Sequence, residues 1–257
     1  MTLASPDVLL GLTGIGKNFA GVRALADVSL SVARNRIVGI IGPNGAGKTS
    51  LFNVITGAYR ADDGEVVFDG RPITQWPSFR IARAGIARTF QNIRLFASMT
   101  VWEHLIVAQR PSAIAPLRDV LPLRFADPAI AERAENVLSF FGLEKYRRSI
   151  ARTLPYGIQR KVEMARALTA APKLILLDEP VAGMNRDEAD ELRALLLRLN
   201  EHGLSILLIE HDMSFVMNLC HWIYVLDFGA LIAAGRPADV RSDPAVLDAY
   251  LGSEAPC

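Results

Sequence analysis

Apolar positions follow two rhythms along the chain. Short unbroken runs, Ile37–Ile41 and Leu174–Leu177, end against turn residues or charges. That is the pattern of a strand buried on both faces of a parallel sheet. Glu65–Phe68, Ser205–Ile209, Ile223–Asp227 and Leu231–Ala234 also read as strands, the last two flanking Phe228-Gly229. Turns are predicted at Ala61-Asp62-Asp63-Gly64 and Asp69-Gly70. Residues 22–32, VRALADVSLSV, mix short apolar runs with turns and stop at Arg34-Asn35-Arg36. Helices are predicted over Lys48–Ile55, Arg160–Leu168 and Glu188–Leu199, the last closed near Gly203.

Residues 92–158 change character. They read as helical and include a Pro-rich stretch from Pro111 to Pro122. The clearest helix has Asp127 as N-cap and Pro128 in its first turn. Ile130, Ala134, Val137, Leu138 and Phe141 then recur on one side until Gly142 stops it. Strand–helix alternation on either side of this stretch predicts an α/β core with a helical insertion.

Composition narrows the class. With 257 residues, 51% of them hydrophobic, the chain can bury a sizeable core. Lys and Arg number 28 against 27 Asp and Glu, so no basic excess points to nucleic acid as a partner. Cys220 and Cys257 form no CxxC pair, and His104, His202, His211 and His221 are not spaced as a metal cluster. The N-terminal stretch has no basic segment ahead of an apolar one, and no apolar run is long enough to span a bilayer. The reading is a cytoplasmic protein.

Two segments carry chemistry. Gly42-Pro43-Asn44-Gly45-Ala46-Gly47-Lys48-Thr49, followed by Ser50, matches G-x-x-x-x-G-K-[ST] between a predicted strand and a predicted helix. Its glycines let successive N–H groups face phosphate oxygens, and the helix adds its unpaired N-terminal donors. Lys48 would reach the β- and γ-phosphates of a bound nucleotide, and Thr49 would offer its hydroxyl to Mg²⁺. The second segment is the strand Leu174–Leu177, which runs into Asp178-Glu179-Pro180. Carboxylates at the end of a buried strand need a cation or hydrogen bonds. Asp178 would hold Mg²⁺ through water, and Glu179 would polarise the attacking water.

With these motifs in place the chain resembles the ABC transporter ATPases over nearly its whole length. The order is the phosphate loop, Arg88-Thr89-Phe90-Gln91, Leu154-Pro155-Tyr156-Gly157-Ile158-Gln159-Arg160, the acidic strand, and Ile209-Glu210-His211-Asp212. The resemblance implies a P-loop NTPase core with an antiparallel N-terminal β-subdomain and an inserted helical subdomain. Residues 1–257 would be one cassette, with 1–91 and 160–257 as core and 92–159 as the helical part. It also implies that Phe19 stacks on adenine and that Gln91 senses Mg²⁺ and the γ-phosphate. His211 would contact the γ-phosphate, and Asn185, in Ala182-Gly183-Met184-Asn185, would lie in a loop crossing to a second subunit.

In this family the signature, here Leu154–Gln159, binds the nucleotide held by the opposite subunit; its common form begins Leu-Ser-Gly-Gly-Gln. Gly157 keeps the close backbone approach. Pro155 supplies neither hydroxyl nor N–H, and Ile158 replaces a polar side chain. Asn35 stands where Gly is usual, and Asn tolerates the left-handed backbone expected there.

The finer resemblance is to branched-chain amino acid importer ATPases, specifically the member with the longer insertion. It rests on Lys48-Thr49-Ser50-Leu51-Phe52-Asn53, the Tyr156-Gly157 signature, Ala182–Asn185 and the tail Ala249-Tyr250-Leu251-Gly252. It implies a peripheral subunit at the cytoplasmic face of the membrane. Its partners would be two transmembrane permeases, a related but different ATPase subunit and, indirectly, an extracytoplasmic binding protein. The cargo would be leucine, isoleucine and valine, with urea, short amides or other amino acids as alternatives. A non-transport ABC ATPase and a weakly catalytic docking subunit are the other readings.

Overall fold

A computed structural model describes residues 7–109 and 128–251. The Pro-rich stretch and the Asp127 cap lie outside the described residues. The first two strands, β1 (Val8–Phe19) and β2 (Val22–Ala33), form a long antiparallel hairpin. Ala20 and Gly21, both at positive φ, make its turn. The stretch 22–32 is therefore one strand, not runs broken by turns. Asp27, at φ 55°, and several register shifts interrupt its alternation, which hides it from a period-2 reading. With β4 (Asp63–Phe68) and β5 (Arg71–Pro72) the hairpin makes an antiparallel sheet in the order β2-β1-β4-β5.

The second sheet holds β3 (Ile37–Ile41), β6 (Ile86–Arg88), β7 (Leu174–Asp178), β8 (Ser205–Ile209), β9 (Trp222–Asp227) and β10 (Ala230–Gly235). Its order is β10-β9-β3-β8-β7-β6, parallel except for the β9–β10 edge pair. Both faces of its central strands are covered. Val38, Ile40, Leu174 and Leu176 pack toward the antiparallel sheet and Phe52. Ile37, Ile41, Ile175 and Leu177 face the helices. That two-sided burial is why these strands read as unbroken apolar runs. Asn35, in the turn before β3, has φ 53°, the left-handed conformation its side chain tolerates.

Helix α1 (Lys48–Ile55) follows β3, and α2 (Ser78–Ala84) precedes β6. Helix α3 (Val101–Ala108) is opened by a capping box between Thr100 and Glu103. Helix α4 (Pro128–Phe141) buries Ala134, Leu138 and Phe141 on one face, and Gly142, at φ 65°, ends it. Two single turns of 3₁₀ helix, Glu144–Tyr146 and Ala151–Thr153, lead into α5 (Tyr156–Leu168). α5 starts a turn earlier than the sequence pattern predicts. Pro155 sits at its N-cap and Gly157 in its first turn, where the backbone N–H groups have no helical partner anyway. The remaining helices are α6 (Arg186–Glu201), α7 (Met213–Leu219), α8 (Pro237–Arg241) and α9 (Pro244–Leu251). Among the described residues no helix is long and apolar enough to cross a membrane.

Candidate active site

Strands β3, β8, β7 and β6 are neighbours and run parallel, so their carboxyl ends open on one edge. Each delivers one motif. β3 leads into the phosphate loop, β8 into Glu210-His211, β7 ends in Asp178 before Glu179, and β6 leads through Arg88 to Gln91. Motifs more than a hundred residues apart are thereby brought together at the place where open parallel sheets bind ligands.

The loop is shaped by close backbone approach. Gly42 has φ 148°, and a Cβ there would lie 2.0 Å from the Leu226 carbonyl oxygen. Gly47, at φ 96°, would put a Cβ 2.5 Å from the Ala24 carbonyl oxygen. Gly47 is also the N-cap of α1 and makes no side-chain cap, so the first N–H groups of that helix remain available to an anion. Asn44, Gly45 and Thr49 are exposed, Pro43, Gly47 and Ser50 half-buried, and Ala46 buried. Lys48 is buried, and its Nζ donates to the carbonyls of Gly42 at 2.6 Å and Pro43 at 2.9 Å. Burial lowers its pKa, while the charges of Glu179 and Asp178 act the other way.

Asp178 is 5% exposed and accepts a hydrogen bond from the Arg88 guanidinium at 2.9 Å. Arg88 also donates to the Asn53 side chain at 2.6 Å, which anchors it to α1. Glu179 holds a left-handed backbone, φ 45°, a costly conformation for a side-chain-bearing residue. Its Oε2 accepts from Gln91 Nε2 at 2.7 Å and lies 3.8 Å from His211 Nδ1. Glu210 is fully buried and accepts the N–H groups of Val181 at 2.9 Å, His211 at 3.0 Å and Asp212 at 3.4 Å. Burial raises its pKa, with those N–H groups pulling the other way. Glu210 thus ties the loop after β7 to the loop after β8.

Lys48, Asp178, Glu179, Gln91 and His211 therefore share one edge. Phe19 ends β1, exposed and edge-on to Tyr59, with ring centres 5.0 Å apart and Lys17 Nζ 5.3 Å from its centroid. The signature lies elsewhere, and among the described residues no hydrogen bond joins it to the phosphate loop. Leu154 is buried, Pro155 and Tyr156 are exposed, and Ile158 is half-buried against the helical core. Gln159 turns inward, its Nε2 donating to the Leu154 carbonyl at 2.8 Å. The space at Gly157 is used within the chain, since a Cβ there would lie 2.9 Å from Glu188 Oε1. Asn185 caps α6, accepting the Glu188 N–H at 2.9 Å.

Arg88 touches Asp178, Asn53 holds Arg88, Glu210 accepts from the His211 N–H and Tyr59 meets Phe19, contacts that the sequence does not mark. Arg88 and Asn53 lie inside quoted motifs but show their pairing only in space. Glu210, a carboxylate directly after a buried strand, carried the same signal that singled out Asp178.

Among the described residues no group of three His, Cys, Asp or Glu could enclose a metal by itself. Thr49, Gln91 and Asp178 offer hard oxygen atoms, which suit a Mg²⁺ ion shared with phosphate rather than a protein cage.

A phosphate cradle beside an acidic strand end on a parallel sheet defines a P-loop nucleotide-hydrolysing domain. The family described as "ABC transporter" matches residues 25–182, and that described as "Branched-chain amino acid ATP-binding cassette transporter" matches residues 230–256. The chain is 41% identical over 249 residues to the high-affinity branched-chain amino acid transport ATP-binding protein BraF of Pseudomonas aeruginosa, covering 95% of this chain and 98% of that protein. Identity and coverage are the same for LivG of Escherichia coli (strain K12). The crystal structure of an ABC transporter's ATP-binding cassette in its ADP conformation superposes with a TM-score of 0.85 at 35% identity, covering 95% of this chain and 99% of that one. A nucleotide-free cassette gives 0.84 at 35% identity, covering 95% and 98%. The chain belongs to the ATP-binding subunits of ABC transporters, in the branched-chain amino acid transport family.

Proposed function

We propose that this subunit hydrolyses ATP to drive uptake of leucine, isoleucine and valine, seated peripherally on the cytoplasmic face of the membrane. It works with two membrane permeases, a related second ATPase subunit and an extracytoplasmic binding protein. The observation that carries the catalytic reading is the convergence of Lys48, Asp178, Glu179, Gln91 and His211 on one sheet edge. The names of the 41%-identical relatives support the cargo.

In this reading Lys48 exchanges the Gly42 and Pro43 carbonyls for the β- and γ-phosphates, and the uncapped N-terminus of α1 adds its N–H groups. Phe19 supports the adenine ring. Bound Mg²⁺, held by Thr49, Gln91 and Asp178, would neutralise phosphate charge. Arg88, anchored by Asn53, orients Asp178. Glu179 accepts the proton of the attacking water once Gln91 releases it, and His211 faces the γ-phosphate. The partner's signature completes this site, while Leu154–Gln159 and the Asn185 loop serve the partner's nucleotide. Positioning and charge stabilisation suffice, with no covalent intermediate. Gln91 and the segment 92–159 carry closure to the permeases.

Uptake of radiolabelled leucine by cells with and without this chain tests the reading, with urea and acetamide as competitors. ATP-dependent leucine uptake lost with the chain supports it. Uptake of urea or amides instead would transfer the same engine to another cargo.

A further inference from the structure

Among the described residues Arg160 is the largest completely buried side chain, and it lies in the first turns of α5. One of its terminal nitrogens donates to the Phe90 carbonyl at 2.7 Å and to Glu163 Oε2 at 3.0 Å. The other donates to the Gln91 carbonyl at 2.8 Å and to Tyr156 Oη at 3.2 Å. Glu163 is also fully buried, and its second oxygen accepts the Arg94 N–H at 3.1 Å. One turn on, Arg166 donates to the Arg94 carbonyl at 2.7 Å. Positions 160, 163 and 166 fall on one side of the helix, so that side holds the main chain of residues 90, 91 and 94 at several points. A buried ion pair contributes little to stability by itself, because desolvation offsets attraction. Here its hydrogen bonds go to the very loop whose side chain grips Glu179.

We propose that Arg160, seated by Glu163, is a positioning residue for hydrolysis: it fastens the Gln91 loop to the signature helix, so that Gln91 moves with that helix relative to Glu179. The inference rests on the reading that Gln91 and Glu179 serve the γ-phosphate. Gln91 thus belongs mechanically to α5, although in sequence it follows β6. A shift of α5 on engaging the partner's nucleotide draws Gln91 with it and changes its hold on Glu179. Tyr156, inside the signature itself, adds its hydroxyl to the same guanidinium.

The test is a double-mutant cycle in the assembled transporter. Glu163→Gln keeps the side chain's shape and an acceptor for Arg94 but removes the charge that seats Arg160. Arg160→Lys keeps a charge but cannot fork to two carbonyls. Each is measured alone and with Gln91→Ala for kcat, KM for ATP and thermal midpoint. Glu163→Gln should lower kcat roughly three- to tenfold with KM changed by less than about twofold, as for an interaction that acts in the transition state. In the Gln91→Ala background it should have little further effect. A merely structural role would give losses that multiply with those of Gln91→Ala, or a kcat that follows only the fall in thermal midpoint; either overturns the proposal. If Arg160→Lys does not fold, the Glu163→Gln cycle decides alone. Glu179→Gln runs alongside: undiminished hydrolysis there would sink the underlying reading, whereas loss there with normal Glu163→Gln cycles would sink only this inference.

Discussion

Gln91 Nε2 donates to Glu179 Oε2 at 2.7 Å, joining the end of β6 to the end of β7 across 88 residues of sequence. The bond occupies a lone pair of the carboxylate proposed above as the base. Glu179 is further constrained by its left-handed backbone and by its N–H, which donates to the Ile209 carbonyl at 2.9 Å. Both restraints fix where the carboxylate points before nucleotide arrives. Glu179→Gln should leave ATP binding intact and slow hydrolysis by roughly 10²-fold or more, as expected for loss of a general base. Paired measurements of nucleotide binding and phosphate release on the assembled complex check this. Near-normal phosphate release would remove Glu179 from its role.

Lys48 is held by two loop carbonyls, so it ties the loop together in addition to its proposed contact with phosphate. Lys48→Ala should weaken ATP binding and abolish turnover, because no other lysine lies in the phosphate loop. A fluorescent ATP analogue titrated onto the variant measures the first effect. Unchanged affinity would mean that the helix N-terminus alone holds the phosphates.

Phe19 has an exposed face and Tyr59 at its edge. Phe19→Ala should raise the ATP dissociation constant by about one to two orders of magnitude, the range of an aromatic stack on a base, about 1–3 kcal/mol. Phe19→Tyr should be mild. If Phe19→Ala binds ATP normally while its thermal midpoint falls, the ring serves only the Tyr59 contact.

Asp69, in the turn after β4, accepts from both Arg34 and Lys173 and so ties the antiparallel sheet to the approaches of β3 and β7. Those hydrogen bonds, Arg34 first and then Lys173, pull its pKa from the ordinary 3.8 to about 2. The folded state therefore gains stability from ionised Asp69 above about pH 4, and that gain fades as pH falls toward about 2. The partners' side chains are 43% and 53% exposed, so solvent screening limits the gain to about 1 kcal/mol. Urea unfolding of Asp69→Asn should show that deficit at pH 7 and lose most of it as pH falls to about 2. An equal deficit at both ends would point to lost packing rather than charge.

What the sequence made legible follows from how local each signal is. Lys48–Ile55 and Ser205–Ile209 are found with the predicted bounds, because their flanks are a glycine loop and turn residues. Lys48, Asp178 and Glu179 stand out in the sequence as candidates for the same reason: each motif is contiguous. β1 and β2 were not readable as a hairpin, since bulges and left-handed residues break their period. Arg160's grip on Phe90 and Gln91 spans about seventy residues, and no local pattern encodes it. The start of α5 was masked by Pro155 and Gly157, residues that break helices in their middle and are tolerated at their start.

Pro155 is where the chain departs from the common signature, and two effects compete there. Proline cannot donate a hydrogen bond to a γ-phosphate across the dimer, and a missing charge-assisted bond costs about 1.5–3 kcal/mol. Against that, Pro155 holds the N-cap of α5 at φ −54°, ψ 151°, and sets the direction of the helix whose first N–H groups would face the phosphate. The helix has no side-chain cap, so Pro155→Ser would also add a capping hydroxyl worth about 1 kcal/mol. That hydroxyl can serve the helix or the phosphate, not both fully, so turnover should change by less than about tenfold. In a homodimer any penalty would fall on both sites. With a different partner it falls only on the site this signature completes, and the nucleotide bound at Lys48 is served by the partner's signature. Glu179→Gln in this chain should then hurt the complex more than the equivalent change in the partner. Steady-state hydrolysis by complexes mutated in one subunit at a time decides it. Full activity of this chain as a homodimer, or greater damage from the partner's mutation, would refute the asymmetry.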